Sequence, residues 1–182
     1  MISKKEETKL SKLLSLVLRH KPETIGLELS EEGWAETAVL IDKLNANNSP
    51  INLEILTQVV ENNAKKRFAF NEDLSKIRAN QGHSLSVDLQ LNPKIPPQFL
   101  FHGTAIQNLE KIKGSGLNKM KRQHVHLSSN KKTAEKVGQR HGKPKVLKIA
   151  SAEMQEKGFV FFESENGVWL TDHIPNEFII GL

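Results

Sequence analysis

A proline-dense stretch, Asn92 to Gln98, places the strongest limit on how this chain can fold, because Pro93, Pro96 and Pro97 fall within it. Three fixed φ angles and three missing N–H donors exclude a helix or a central strand there. The fold therefore has to be organised on either side of it. The stretch reads as a linker, and the expected arrangement is one lobe over residues 1–92 and a second over residues 93–182.

The two sides differ in pattern. Leu10, Leu13, Leu14, Val17 and Leu18 follow the i, i+3, i+4, i+7, i+8 spacing of an amphipathic helix. That helix should stop near His20, because Pro22 disfavours helical geometry at Lys21. Arg19 and His20 then sit at its C-terminal end, where the dipole favours cations. Gly33 and Trp34 lead into a second predicted helix carrying Val39, Leu40 and Leu44, and Asn45 to Pro50 reads as a loop. A third helix carries Leu53, Leu56, Val59 and Val60. Two short alternating segments follow, Arg67 to Phe70 and Lys76 to Arg78, around a polar turn. Three helices and a two-stranded wing make a winged-helix type of lobe.

Beyond the prolines the chain is richer in strands. Phe99-Leu100-Phe101 enters His102-Gly103-Thr104, and Val125-His126-Leu127 forms another strand, followed by a helix from Lys131 to Arg140. Lys145 to Ile149 alternates. Phe159 to Phe162 is expected to pair with Val168 to Leu170 around an Asn166-Gly167 turn. Phe178 to Ile180 closes the chain. The fold class is α+β, with a β-rich second lobe.

Composition removes whole classes of chemistry. There is no cysteine, hence no disulfide, thiolate nucleophile or thiolate metal site, and no tyrosine, hence no phenol-based mechanism. No apolar run approaches the roughly 20 residues of a membrane span. Met1 to Lys12 is polar and lacks a signal-peptide core, so a cytoplasmic location is expected. The formal charge of +5 permits a phosphate-rich partner without requiring one.

The residues able to act on a ligand are mostly cations. Arg19, Arg67, Arg78 and Arg122 come from separate elements, and an arginine fork matches phosphate oxygens while staying charged at any working pH. A single arginine is most often a solvated surface charge, and periodicity alone does not show that these converge. Gly103 lets a ligand approach the backbone closely, although a His-Gly-Thr tripeptide is also an ordinary exit from a strand. His124 and His126, two apart on a strand, share a face and could hold zinc. No third ligand lies at suitable spacing, so packed histidines are the better reading and no metal is expected. No phosphate-binding P-loop, dinucleotide fingerprint or paired carboxylate stands out. A site rich in cations and poor in nucleophiles suits a substrate that supplies its own nucleophile, such as a phosphate oxygen.

Seven segments, in order, carry a family resemblance. They are Leu18-Arg19-His20-Lys21-Pro22; Gly26-Leu27 with Gly33-Trp34; Lys66-Arg67-Phe68; and Ile77 to Ser84 (Ile-Arg-Ala-Asn-Gln-Gly-His-Ser). The rest are Phe101-His102-Gly103-Thr104; Gly116-Leu117 leading to Met120, Arg122 and His124 to Ser128; and Ser164 to Thr171. On these motifs the chain resembles the NAD-dependent RNA 2′-phosphotransferases, often called tRNA 2′-phosphotransferases.

The resemblance implies a winged-helix-like RNA-binding lobe followed by an ADP-ribosyltransferase-like, NAD-binding lobe. It implies two metal-free steps. A 2′-phosphate on RNA attacks the ribose C1 of NAD and expels nicotinamide. The neighbouring ribose hydroxyl then attacks the phosphorus of the ADP-ribosylated RNA. The products are RNA with a 2′-OH and ADP-ribose 1″,2″-cyclic phosphate, as needed at a tRNA splice junction. Carried over residue by residue, the catalytic set is Arg19, His20, Arg67 and Arg122. His102, Gly103 and Thr104 correspond to one NAD-binding strand, and His126 and Ser128 to a second. Val168 stands where many ADP-ribosyltransferases have glutamate, an absence that suits a nucleophile already anionic. Arg78, Gln81, His83 and Ser84 correspond to a substrate-binding motif that lines the cleft between the lobes. Phe101 and Phe162 replace tyrosines common in the family, keeping the ring and losing the hydroxyl. The implied partners are 2′-phosphorylated RNA and NAD, consumed as co-substrate; nothing in the sequence suggests more than a monomer.

Two other readings use the same residues. An ADP-ribosyltransferase that stops after the first step would not need the intact Arg19, His20, Arg67 and Arg122 set. A non-catalytic nucleic-acid-binding regulator would not need the NAD-strand motifs of the second half.

Overall fold

The computed structural model describes residues 2–182; Met1, the start of the polar stretch discussed above, lies outside them. The chain divides into two units, Met1–Gln90 and Leu91–Leu182. Both mix helices with small antiparallel sheets, an α+β architecture.

The first unit opens with α1 (Lys4–Val17), which starts where it does because Ser3 and Glu6 form a reciprocal capping box. Its Leu10, Leu14 and Val17 are buried, each contributing about 1.5–3 kcal/mol of transfer free energy when fully removed from water. A 3₁₀ turn over Pro22–Ile25 follows, closed by Gly26 in the left-handed region at φ 63°. Next come β1 (Trp34–Glu36), α2 (Thr37–Ala46) and α3 (Leu53–Glu61), then β2 (Phe68–Phe70) and β3 (Lys76–Ala79).

The three helices lie where periodicity predicts them, with two changes. The second helix runs on through Asn45 and Ala46, and its Val39 faces solvent. The expected two-stranded wing is a three-stranded sheet in the order β1-β3-β2. Trp34, expected to lead into the helix, instead lies in β1 opposite Arg78 of β3. A three-residue strand has no periodicity of its own; its pairing with β3, some forty residues on, makes it a strand.

The second unit begins with the proline stretch, which does not hang free. Pro93 bridges to Phe162, Lys94 N–H donates to the Phe161 carbonyl at 2.8 Å, and the Ser151 hydroxyl donates to the Pro97 carbonyl at 2.7 Å. The elements are β4 (Leu100–Ala105), α4 (Leu109–Ser115), β5 (Leu117–Asn118), β6 (Val125–Leu127), α5 (Lys131–Gly138), β7 (Pro144–Ile149) and α6 (Ser151–Glu156), then β8 (Phe162–Glu163), β9 (Trp169–Thr171), β10 (His173–Ile174) and β11 (Ile179–Ile180). Two three-stranded sheets, β11-β7-β4 and β6-β9-β8, meet where Phe101 and Ser128 exchange backbone hydrogen bonds; β10 and β5 form a separate pair. The core between them holds Leu100, Leu127, Leu147, Ile149, Met154, Phe161, Trp169 and Phe178.

Here the strand between Phe159 and Phe162 shortens to β8, and the helix from Lys131 ends at Gly138, with a 3₁₀ turn over Gln139–His141. α4 and α6 are additional; each is a single short helix with little apolar pattern. Among the described residues no helix is long and apolar enough to cross a membrane.

Candidate active site

The end of α1 is the organising point of the first unit. Past the Leu18 cap, the Arg19 carbonyl accepts from the Ser84 N–H at 2.9 Å and the His20 Nδ1 lies 3.0 Å from the Ser84 hydroxyl. Arg19 Nη2 donates to the carbonyl of Arg67 at 3.3 Å, and its guanidinium sits 5.9 Å from the centre of the Phe68 ring. Arg67 Nη1 donates to Asn63 Oδ1 at 3.4 Å. Arg19, His20, Arg67 and Ser84 are thus gathered into one neighbourhood of half-buried and exposed side chains. Gly82 turns the chain past them at φ 89°, a left-handed conformation that glycine adopts without strain. Arg78 stacks 4.5 Å from the centre of the Trp34 ring, its cross-strand partner, and Gln81 is half-buried beside Gly82.

His83 departs from its expected place. It has no exposed surface, and neither ring nitrogen has a hydrogen-bond partner, so it does not line an open surface. Its ring lies under the cluster, near the space beside Gly33. Burial, reinforced by Arg19, then His20 and Arg78, pushes its pKa down to about 4, so at neutral pH it adds no further charge among the cations.

A folded-state pKa below the unfolded value makes stability complete above about pH 6.5 and reduces it as pH falls towards 4. The unfolded chain takes up a proton that the buried ring refuses. A loss of about 3 kcal/mol is expected across that window from His83 alone. Denaturant midpoints measured from pH 7 to 4 should show it, and His83→Gln should flatten that part of the curve. An imidazole that NMR titration finds protonated at pH 6 would contradict this.

In the second unit His126 ties two candidate groups together. Its carbonyl lies 3.0 Å from His102 Nδ1, and its own Nδ1 lies 3.3 Å from Arg122 Nη1. A carbonyl only accepts, so His102 donates through Nδ1. A guanidinium only donates, so His126 accepts through Nδ1 and carries its proton on Nε2. Burial lowers the pKa of His102, more than its bond to the His126 carbonyl raises it. The ring is then neutral near pH 7, with Nε2 an acceptor suited to a hydroxyl.

His102, Gly103 and Thr104 lie inside β4 rather than at a turn after it. The main reason for glycine at 103 is packing: a Cβ there would stand 1.7 Å from the Ala134 carbonyl oxygen of α5. Gly138 matches it, since its own Cβ would lie 2.7 Å from the Thr104 oxygen. The strand edge gives Gly103 a second property. Phe101 directs its N–H and C=O to Ser128, away from β7. Antiparallel alternation then turns the N–H and C=O of Gly103, two residues on, to the same side. The Phe101–Ser128 bridge is isolated, and among the described residues no ladder hydrogen bond joins Gly103 to His126, its antiparallel counterpart on β6. Together these make a paired donor and acceptor for an amide.

The remaining candidates are less exposed to a ligand. The Thr104 side chain is buried, its hydroxyl accepting from Asn108 at 3.2 Å. The Ser128 hydroxyl is engaged with Asn130, the residue that caps α5. Val168 is half-buried, and its carbonyl accepts the Ser164 N–H and hydroxyl at the hairpin turn. His124 precedes β6 and packs edge-on to Phe162 at 5.8 Å. Among the described residues no group of three metal-ligating side chains occurs.

Sequence reasoning passed over Asn63, Trp34 and Arg140. Asn63 is buried and bonded to both Ser11 and Arg67; an asparagine four residues before an arginine gives no signal of this. Arg140 is exposed, yet its charge is felt at Arg122.

Residues 5–173 match the family model described as RNA 2′-phosphotransferase, Tpt1 / KptA family. Curated relatives described as "Probable RNA 2′-phosphotransferase" include one from Flavobacterium johnsoniae, 54% identical over 170 residues, covering 93% of each chain. One from Fusobacterium nucleatum subsp. nucleatum is 51% identical, covering 95% of this chain and 97% of the relative. One from Pseudomonas fluorescens is 50% identical over the full length of both.

Proposed function

The chain belongs to the RNA 2′-phosphotransferase, Tpt1 / KptA family, and removes a 2′-phosphate from RNA; we propose that it does so by passing the phosphate to NAD. In this reading the first unit is a winged-helix-like lobe and the second an ADP-ribosyltransferase-like lobe. The observation that carries it is the Gly103 edge beside His102. The N–H and C=O of Gly103 suit the carboxamide of nicotinamide, and His102 Nε2 suits a ribose hydroxyl.

Arg19, His20 and Arg67 hold the dianionic 2′-phosphate. In the first step a phosphate oxygen bonds to the ribose C1 of NAD. The bond to nicotinamide breaks, and its electron pair leaves on the neutral ring. No base is needed, consistent with valine at position 168. In the second step the adjacent ribose hydroxyl bonds to phosphorus, and the phosphorus–oxygen bond to RNA breaks. The hydroxyl proton ends on the RNA 2′-oxygen, with His20 assisting its movement. Arg67 and Arg122 stabilise charge on the phosphoryl oxygens as it develops, and orientation by fixed forks supplies the rest. The products are 2′-OH RNA and ADP-ribose 1″,2″-cyclic phosphate, with no metal involved.

Incubating the protein with a 2′-phosphorylated oligonucleotide, with and without NAD, tests this. Loss of the phosphate together with nicotinamide release, only with NAD, is the expected result. ADP-ribosylated RNA that persists indicates a transferase that stops after one step. Binding without turnover indicates a non-catalytic regulator.

A further inference from the structure

The net charge of this chain belongs to one of its units. Residues 1–90 hold 12 Lys and Arg against 13 Asp and Glu, whereas residues 91–182 hold 14 against 8. The first unit, expected from the resemblance to bind RNA, therefore has no general attraction for a polyanion beyond its local cluster. Long-range attraction comes from the second unit.

Within the second unit, α5 and the 3₁₀ turn that continues it supply half of that excess, four cations against Glu135. Lys132, Lys136 and Arg140 follow one another at intervals of four, so they project from roughly one side over about 12 Å. All three are exposed. Among the described residues none of them has an ion pair, in contrast to Lys94, Lys113, Lys119 and Lys157. Glu135 is the one acid on the helix. Like charges at such spacing weaken a helix slightly, so local stability does not explain the ridge.

The ridge is also fixed in direction. Ala134 and Gly138 press against the backbone of β4, which holds the opposite face of α5 in place. At its far end the 3₁₀ turn packs on β4, the strand that carries His102. Arg140 there lies near enough to Arg122 for its charge to be felt at that guanidinium.

We propose that Lys132, Lys136 and Arg140 form a track for the sugar–phosphate backbone of the RNA strand flanking the 2′-phosphate, leading to Arg122. The proposal rests on RNA being the substrate. It assigns backbone attraction to the second unit and grip on the 2′-phosphate to the first. Recognition of this kind carries no sequence information, so the track favours length of strand over base identity.

Equilibrium binding of a 12-nucleotide single strand with an internal 2′-phosphate, measured by fluorescence anisotropy against salt, tests it. In K132A/K136A the slope of log K against log salt should flatten by about 1.4, at about 0.7 for each phosphate of a single strand that is no longer neutralised. Affinity at low salt should fall about tenfold. Binding of a 2′-phosphorylated dinucleotide, and of NAD, should be unchanged. K9A/K12A, an equal change of charge on the exposed side of α1, should leave the slope alone, and K132R/K136R should keep it. An unchanged slope in K132A/K136A overturns the proposal, as does weaker binding of NAD or of the dinucleotide to the same extent. The measurement needs no turnover, so it stands or falls apart from transfer to NAD.

Discussion

Arg122→Ala is expected to slow release of dephosphorylated RNA by about 10²–10³, the usual loss when one donor aimed at developing charge is removed. Arg67→Ala should do the same. The two arginines are held differently. Arg67 is steered by buried Asn63, whereas Arg122 leans on His126 Nδ1. Both act on the phosphate in the proposed second step. Nicotinamide release in a single turnover should therefore be hurt less than formation of 2′-OH RNA, and ADP-ribosylated RNA should accumulate. NAD affinity should change by no more than about twofold, since neither arginine is assigned to NAD recognition; removing a hydrogen bond to a charged group would cost more than that. Lysine should rescue poorly at either position, because a point charge cannot reproduce the planar fork. Unchanged turnover in either alanine variant contradicts these roles.

Gly103→Ala is expected to have the largest effect on folding. The added methyl would meet the Ala134 carbonyl oxygen at 1.7 Å and Gly138 N at 2.9 Å. These are backbone atoms of a helix that cannot rotate aside as a side chain can. Overpacking commonly costs 1–3 kcal/mol, and this case should reach at least ~3 kcal/mol. For a chain of this size the melting temperature should fall by about 6–12 °C. Gly114→Ala makes the contrast, because its Cβ would meet nothing within 4 Å; there the helix should gain about 0.5–1 kcal/mol. Both are read by thermal unfolding. If Gly103→Ala melts with the parent protein, the tight seat of α5 on β4 is wrong.

The helices of the first unit were legible because apolar spacing alone specifies them: Leu10, Leu14 and Val17 point inward wherever the rest of the chain goes. β1 was not legible, since Trp34–Glu36 becomes a strand through pairing with Lys76 to Arg78. The site divides in the same way. Local motifs named Arg19, His20, Arg67 and His102. Whether a named residue reaches a surface depends on packing from distant segments, which is why His83 and Thr104 read as ligand-facing and are buried. Gly103 was identified for closeness to a ligand, and its tighter constraint comes from α5, thirty residues away. Arg140 stayed hidden because its place depends on how the turn that continues α5 packs on β4.

The central claim is that the phosphate leaves on ADP-ribose. RNA carrying a radiolabelled 2′-phosphate, incubated with the protein and NAD, tests it by the fate of the label. The account predicts one nicotinamide per phosphate removed, with the label in a cyclic diester of ADP-ribose that phosphatase cannot release. Label appearing as inorganic phosphate, or leaving the RNA at the same rate without NAD, would contradict it.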